Sequence, residues 1–191
     1  HQQHLDEIVL TKTGLPINGE PHLEPWLNFL HRMKNATKTV RIGLVGKYVE
    51  LPDAYKSINE SLFQAATYND RKLDLQYIHS EKLNSGNVDA MLSSLDGVLI
   101  APGFGQRGIE GKFAALKYAR ENDVPCLGIC LGMQCMVIEF ARNVMGLAEA
   151  NSTEMEPNTP YKVIDLMEEQ KNVTNMGGSM RLGAYDCILK K

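Results

Sequence analysis

The chain has 191 residues, 43% of them hydrophobic and 23% charged, with a formal net charge of −3 at pH 7. That is enough for one domain with a substantial core, and a slight acidic excess is not the footprint of a nucleic-acid binder. No apolar run reaches the length of a membrane span, and the start, His1-Gln2-Gln3-His4, lacks signal-peptide form.

The four cysteines, at 126, 130, 135 and 187, have neither disulfide-framework nor zinc-pair spacing. A reducing, cytoplasmic setting is therefore expected, with no metal site. Residues 1–38 read as a linker and one docking helix. A short apolar run over 5–10 gives way to breakers over 13–21. Trp26, Phe29, Leu30 and Met33 then recur at helical spacing behind Pro25, a favourable first-turn residue. These aromatics are expected to pack, not to hold a cofactor.

From Thr39 to the end of the chain a single domain is expected, and strands and helices alternate. Residues 40–45 form a buried strand. Asp53 is the expected N-cap of a helix whose apolar face holds Ile58, Leu62, Ala65 and Ala66. A second strand over 73–78, a short helix around 88–92 and a third strand over 97–101 follow. Phe113, Leu116, Lys117, Ala119 and Arg120 mark a helix expected to begin after Gly111, and 124–129 is a fourth strand. Continuous apolar strands separated by helices predict an α/β fold, a three-layer, mostly parallel sheet with helices on both faces. Further on, 161–166 and 185–189 read as strands, with antiparallel pairing expected near the C-terminus.

Active sites in such sheets lie beyond the carboxyl ends of the strands, and two motifs fall there. Gly103-Phe104-Gly105-Gln106-Arg107-Gly108 has the dinucleotide-fingerprint spacing. It lies outside the first strand-helix unit, the helix is expected only after Gly111, and Asp123 precedes the next strand instead of ending it. The stretch reads as a flexible surface loop or, as the functional alternative, an oxyanion loop. Pro102 has no N–H, so Gly103 is the expected donor. The second motif, Gly128-Ile129-Cys130-Leu131-Gly132, joins a strand to a helix as a nucleophile elbow does. It places Cys130 near orphan N–H groups that favour a thiolate, with the Leu131 N–H as a second oxyanion donor. Cys126 and Cys135 read as small buried hydrophobes.

Residues 128–134, Gly-Ile-Cys-Leu-Gly-Met-Gln, resemble the nucleophile segment of class I glutamine amidotransferases. Residues 46–57, Gly-Lys-Tyr-Val-Glu-Leu-Pro-Asp-Ala-Tyr-Lys-Ser, together with 105–111, 151–154 and 177–183, resemble the glutaminase domain of the CTP synthase family in the same order. Residues 1–38 resemble the tail of that family's synthetase domain and the linker. The resemblance implies a flavodoxin-like core and attack of Cys130 on the amide carbonyl of L-glutamine. A glutamyl thioester forms, ammonia leaves, and water releases glutamate. A separate synthetase domain, with ATP and magnesium, would use the ammonia to convert UTP to CTP, making the whole a ligase of pyrimidine biosynthesis. GTP would activate the glutaminase, no cofactor would bind this domain, and the intact enzyme would be a homotetramer. By position, Gly103, Leu131, Gly132, Met133 and Gln134 correspond to glutamine-binding residues. Glu154 corresponds to the carboxylate that holds the substrate α-ammonium, and Arg107 lies in a lid loop. On the residues alone, Glu154 is an acid in a polar loop and Arg107 an ordinary solvated arginine.

Two departures from the family pattern matter. Pro102 replaces the first glycine of the oxyanion loop. The five histidines, His1, His4, His22, His31 and His79, all precede Cys130, so no general base follows the nucleophile. The chain is expected to stop short of the family's His and Glu and to show no useful glutaminase turnover as it stands. Alternatives are the amidotransferase partner of another biosynthetic ligase, a non-catalytic regulatory domain that keeps the elbow without the base, and a Rossmann-type nucleotide binder.

Overall fold

Four parallel strands form the main sheet: β1 (Lys38–Gly46), β2 (Arg71–His79), β3 (Gly97–Ile100) and β4 (Cys126–Gly128), in the order β2-β1-β3-β4. This is a computed structural model, and it describes residues 3–19, 21–51, 53–167 and 170. Neighbouring residues of one strand point to opposite faces, and here both are apolar. Leu44 and Leu99 pack with Tyr55, Ile58 and Leu62 on one face. Val45, Val98 and Ile100 pack with Leu92, Leu116, Leu131 and Ile138 on the other. Double coverage explains why β1 and β3 read as continuous hydrophobic runs. The first face is covered by α3 (Lys56–Tyr68); the second by α4 (Val88–Leu92), α5 (Ile109–Glu121) and α6 (Leu131–Asn143).

The strand order reverses at β1, because the chain passes from β1 out to β2 and then returns to β3 on the other side. Ligand crevices in parallel sheets open at such a switch, beyond the carboxyl ends. Here those ends are Gly46 and Ile100, with the β4 end adjoining.

Several expectations need correction. Residues 5–13 form a helix, α1 (Leu5–Thr13), closed by Gly14 in a left-handed cap and with no buried residue. The second helix, α2 (Glu24–Asn35), carries Pro25 in its first turn and docks as expected. Phe29 meets Phe63 and Tyr68 of α3, whereas Trp26 stacks on Phe29 and stays 57% exposed. Asp53 is not the N-cap of α3. Tyr55 takes that place, with its hydroxyl buried under β1 and accepting from the Tyr48 N–H, so Tyr48 and Tyr55 are tied together and the helix starts at Lys56. In α3, Ala66 and Thr67 are buried, and Ala65 faces out. Helix α5 begins at Ile109, not after Gly111, because Gly108 adopts φ 74° as its cap.

Strand β5 (Ala150–Ser152), absent from the sequence reading, pairs in parallel with β6 (Tyr161–Ile164). The expected antiparallel partner at 185–189 and the 177–183 stretch lie outside the described residues. Among the described residues no helix is long and apolar enough to cross a membrane.

Candidate active site

Cys130 stands between β4 and α6 with φ 53° and ψ −114°, a conformation that non-glycine residues avoid. Its neighbours allow it. A Cβ on Gly128 would lie 2.5 Å from the Gly132 carbonyl carbon and the Met133 nitrogen. One on Gly132 would lie 2.1 Å from the Ile100 carbonyl oxygen. Both glycines of the pentapeptide are thus required by close backbone approach. The turn closes through Gly132 N–H to Ile129 O at 2.9 Å, and Ile129 N–H donates to Ile100 O at 3.1 Å. The elbow is therefore sewn to the end of β3. As first residue of α6, Leu131 has an orphan N–H.

Cys130 is exposed, Cys126 half-buried and Cys135 buried. Burial pushes the thiols of Cys126 and Cys135 up to about 11, which keeps them protonated at neutral pH. The exposed thiol on the strained backbone is the candidate nucleophile.

The expected oxyanion loop lies alongside. The ladder's last bond here is Ala101 N–H to Val45 O at 2.9 Å. Pro102 follows without an N–H, so Gly103 is the first residue past the strand with one to give. Gly103 has φ 156° and lies over Lys47, whose Cε would be 3.2 Å from an added Cβ. Its flanks are held by two buried lysines. Lys112 of α5 is 0% exposed and donates from Nζ to Ala101 O at 2.7 Å. Lys47, 6% exposed, donates from Nζ to Phe104 O. Sequence reading missed both. Lys112 left a signal: with Ala115, Leu116 and Ala119 it completes the buried stripe of α5 at helical spacing. Burial pushes the Lys112 ammonium down, and the thiols of Cys135 and Cys130 oppose that shift.

Of the residues expected to bind glutamine, Leu131 and Gly132 are buried at the start of α6 and Met133 is exposed. The side-chain oxygens Gln134 Oε1 and Glu154 Oε1 are buried with no partner among the described residues. Gln134 lies in the first turn of α6, next to the elbow, and its unpartnered acceptor is one that a donor group of a ligand would satisfy. Glu154 lies just past β5, which packs against α6. It is half-buried rather than an acid on an open loop.

The loop after Gly103 is tied down. Gln106 Nε2 donates to Met155 O at 2.6 Å, and Arg107 pairs with Glu81 at 2.6 Å and lies over the Tyr48 ring at 5.5 Å. Arg107 is therefore a held cation, not a freely solvated one.

No described histidine lies beside the thiol. His79 ends β2, separated from β4 by β1 and β3, about 14 Å across the sheet at roughly 4.8 Å per strand. Its Nδ1 accepts from the Glu81 N–H. Among the described residues no cluster of His, Cys, Asp or Glu could hold a metal ion.

Residues 50–191 match the family "Glutamine amidotransferase class-I". The chain is 64% identical over 190 residues to a CTP synthase of Bacteroides fragilis, covering 100% of this chain and 36% of that protein. It is 64% identical to one from Porphyromonas gingivalis (100% and 35%) and 54% identical to one from Flavobacterium johnsoniae (99% and 35%). The chain thus spans about a third of the length of these curated relatives. A solved structure described as Trypanosoma brucei CTPS, glutaminase domain with bound acivicin, superposes with a TM-score of 0.65 at 38% identity, over 70% of this chain and 52% of that one.

Proposed function

The chain belongs to the class-I glutamine amidotransferase family, and from that premise we propose that it is the glutamine-hydrolysing part of a CTP synthase. The observation that carries this is Cys130, an exposed thiol on left-handed backbone at the tip of a strand-turn-helix elbow. The Cys130 thiolate attacks the amide carbonyl of L-glutamine. The carbonyl oxygen becomes an oxyanion facing the N–H groups of Gly103 and Leu131. Collapse of the adduct expels ammonia and leaves a glutamyl thioester, which water hydrolyses to glutamate and free thiol. Glu154 holds the substrate α-ammonium, and the Leu131-Gly132-Met133-Gln134 run lines the glutamine site. The Gln134 and Glu154 oxygens, buried and without a partner among the described residues, support that placement.

The remainder of the protein, matching the longer relatives, carries the synthetase that uses ATP and magnesium to make CTP from UTP and the released ammonia. Residues 1–38 are the link to it. GTP as activator, a homotetrameric whole and a cytoplasmic setting go with this reading.

The test is covalent capture with a chloroketone analogue of glutamine: sulfur displaces chloride, and the adduct is located by peptide mass spectrometry. Labelling at Cys130 that glutamine protects against, and that Cys130→Ala abolishes, is expected. Equal labelling of Cys130→Ala would overturn the assignment. A regulatory domain without chemistry is favoured by the distance of His79 from the thiol, and it predicts no protection by glutamine.

A further inference from the structure

Two turns carry the two ends of the glutamine site. The turn that opens α5 follows Gly103 and its N–H, and the turn after β5 carries Glu154. Helix α5, strand β4, helix α6 and strand β5 lie between them in the chain, so tertiary contacts fix their separation. Gln106 makes such a contact: its Nε2 donates to Met155 O at 2.6 Å, across 49 residues of sequence.

Both ends of that bond are anchored. Gln106 O accepts the Ile109 N–H at 3.2 Å, which ties its backbone to the start of α5. On the other side, the Met155 and Glu156 N–H groups donate to Ser152 O at 3.2 and 2.9 Å, and the Thr153 N–H donates to Ile164 O at 3.0 Å. The turn is therefore seated on the β5–β6 pair. Ile109 and Met155 are buried in one apolar cluster. Glu154 lies between Thr153 and Met155, and its Oε1 is buried without a partner among the described residues. A carboxyl oxygen kept dry and unpaired is costly until a donor-bearing ligand meets it.

We propose that Gln106 is a positioning residue that sets the length of substrate the site takes: its bond to Met155 O fixes the span from the Gly103 N–H to Glu154. The proposal rests on the glutamine reading of Cys130, Gly103 and Glu154. Glutamine has an amide carbonyl at one end and an α-ammonium at the other, and asparagine is one methylene shorter. A fixed span lets the longer amino acid meet both ends and leaves the shorter with one end unmet. Arg107, next in the chain, holds the loop toward Glu81 at 2.6 Å, so of these two side chains only Gln106 reaches the segment bearing Glu154. Gln106 is exposed, and replacing it opens no core cavity.

The experiment measures second-order rates of Cys130 capture in the intact chain, with the adduct located by peptide mass spectrometry. Three electrophiles are used: the chloroketone analogue of glutamine, its homologue one methylene shorter, and iodoacetamide, which has no α-ammonium. In each the sulfur forms a bond to carbon as halide leaves. The parent is expected to prefer the longer chloroketone by at least about tenfold. Gln106→Met keeps the length and removes the donor. It is expected to slow the longer chloroketone about tenfold, and to leave the shorter one and iodoacetamide within about twofold. Gln106→Lys, which keeps a donor, is expected to retain the parent's preference. In a Glu154→Gln background, Gln106→Met is expected to add no further slowing, because it acts through Glu154.

An unchanged preference in Gln106→Met overturns the proposal. So does equal slowing of iodoacetamide, which places the effect at the elbow, or slowing that multiplies in the double variant, which makes the two residues independent. Equal rates of the two chloroketones in the parent also overturn it, and that measurement needs no variant to fold. If Cys130→Ala labels as the parent does, or Glu154→Gln captures the glutamine analogue as fast as the parent, the glutamine reading itself fails, an outcome distinct from these.

Discussion

Gly132 lies so close to Ile100 that a Cβ on it would sit 2.1 Å from the Ile100 carbonyl oxygen. The same carbonyl accepts the Ile129 N–H at 3.1 Å, so helix, elbow and oxyanion strand meet at one peptide. Gly132→Ala must push α6 off β3, and overpacking of this kind costs about 1–3 kcal/mol. It is expected to lower the unfolding midpoint and to abolish capture of a glutamine analogue by Cys130. Gly105→Ala is the control. That site has φ 74° with nothing within 4 Å of an added Cβ, so only a backbone penalty of about 1 kcal/mol arises and labelling persists. Denaturant titrations with parallel labelling decide between them.

Cys130 itself stores strain. A non-glycine residue at φ 53°, ψ −114° costs on the order of 1–3 kcal/mol, and glycine in its place relieves that at an entropic cost of about 0.5–1 kcal/mol. Cys130→Gly is therefore expected to be more stable than the parent by about 1 kcal/mol while losing all capture. Cys130→Ala should lose capture without the gain, because alanine keeps the Cβ. Equal stability of the two variants would show that the turn is unstrained.

β1 and β3 were legible in the sequence because both of their faces are covered, which makes 42–45 and 97–100 apolar runs, and β2 was legible from the alternation of apolar and polar residues over 73–78. The elbow was legible because Gly128 and Gly132 answer to backbone contacts that admit no other residue. What was not legible depends on tertiary partners. The start of α5 at Ile109 rests on Gly108 taking a left-handed cap, which a glycine-rich loop does not announce. Asp53 has the chemistry of a cap, but the buried Tyr55 hydroxyl holds the preceding turn and delays the helix. Lys112 was passed over because a charged residue on an apolar stripe reads as surface until its acceptor, Ala101 O, is seen.

Alkaline pH offers a separate test of burial. The Cys135 thiol is pushed up to about 11, chiefly by burial, whereas in the unfolded chain a thiol ionises near 8.5. Between these values the folded state binds more protons, so stability is fully present below the unfolded value and falls as pH rises toward the folded one. The loss is on the order of 2 kcal/mol. Lys112, pushed down by burial, acts in the opposite sense, because between its folded and unfolded values the unfolded state holds the extra proton. The comparison of parent with Cys135→Ala isolates the thiol. Urea titrations at about pH 8 and pH 10.5 should show a smaller alkaline loss in Cys135→Ala, and equal losses would contradict the burial of this thiol.

Capture and turnover should separate in this chain. Cys130 is exposed, but His79 is held at the far edge of the sheet by the Glu81 N–H. Among the described residues no histidine stands beside the thiol, and loss of a general base slows hydrolysis by about 10²–10⁴-fold. Glutamate release is therefore expected to fall at least about a hundredfold below that of a full-length relative, while alkylation of Cys130 proceeds. His79→Ala should change neither quantity. A drop in turnover on replacing His79 would show that it reaches the thiol by some motion of the sheet edge.

The orientation of α6 depends on a charge pair at the other end of the helix. Glu139 is 3% exposed and accepts from Arg120 of α5 at 2.8 and 3.2 Å and from Asn143 Nδ2 at 3.0 Å. Removing Arg120 leaves a buried carboxylate with a single neutral donor side chain, and breaking a buried pair from one side costs about 3–5 kcal/mol. Arg120→Leu is expected to destabilise by about 3 kcal/mol at neutral pH. The double variant Arg120→Leu, Glu139→Leu removes both charges and should lie closer to the parent than Arg120→Leu does. Because α6 carries the elbow at its N-terminus, the single variant should also capture the glutamine analogue more slowly than the double. If the two capture at the same rate, the pair serves stability without aligning the elbow.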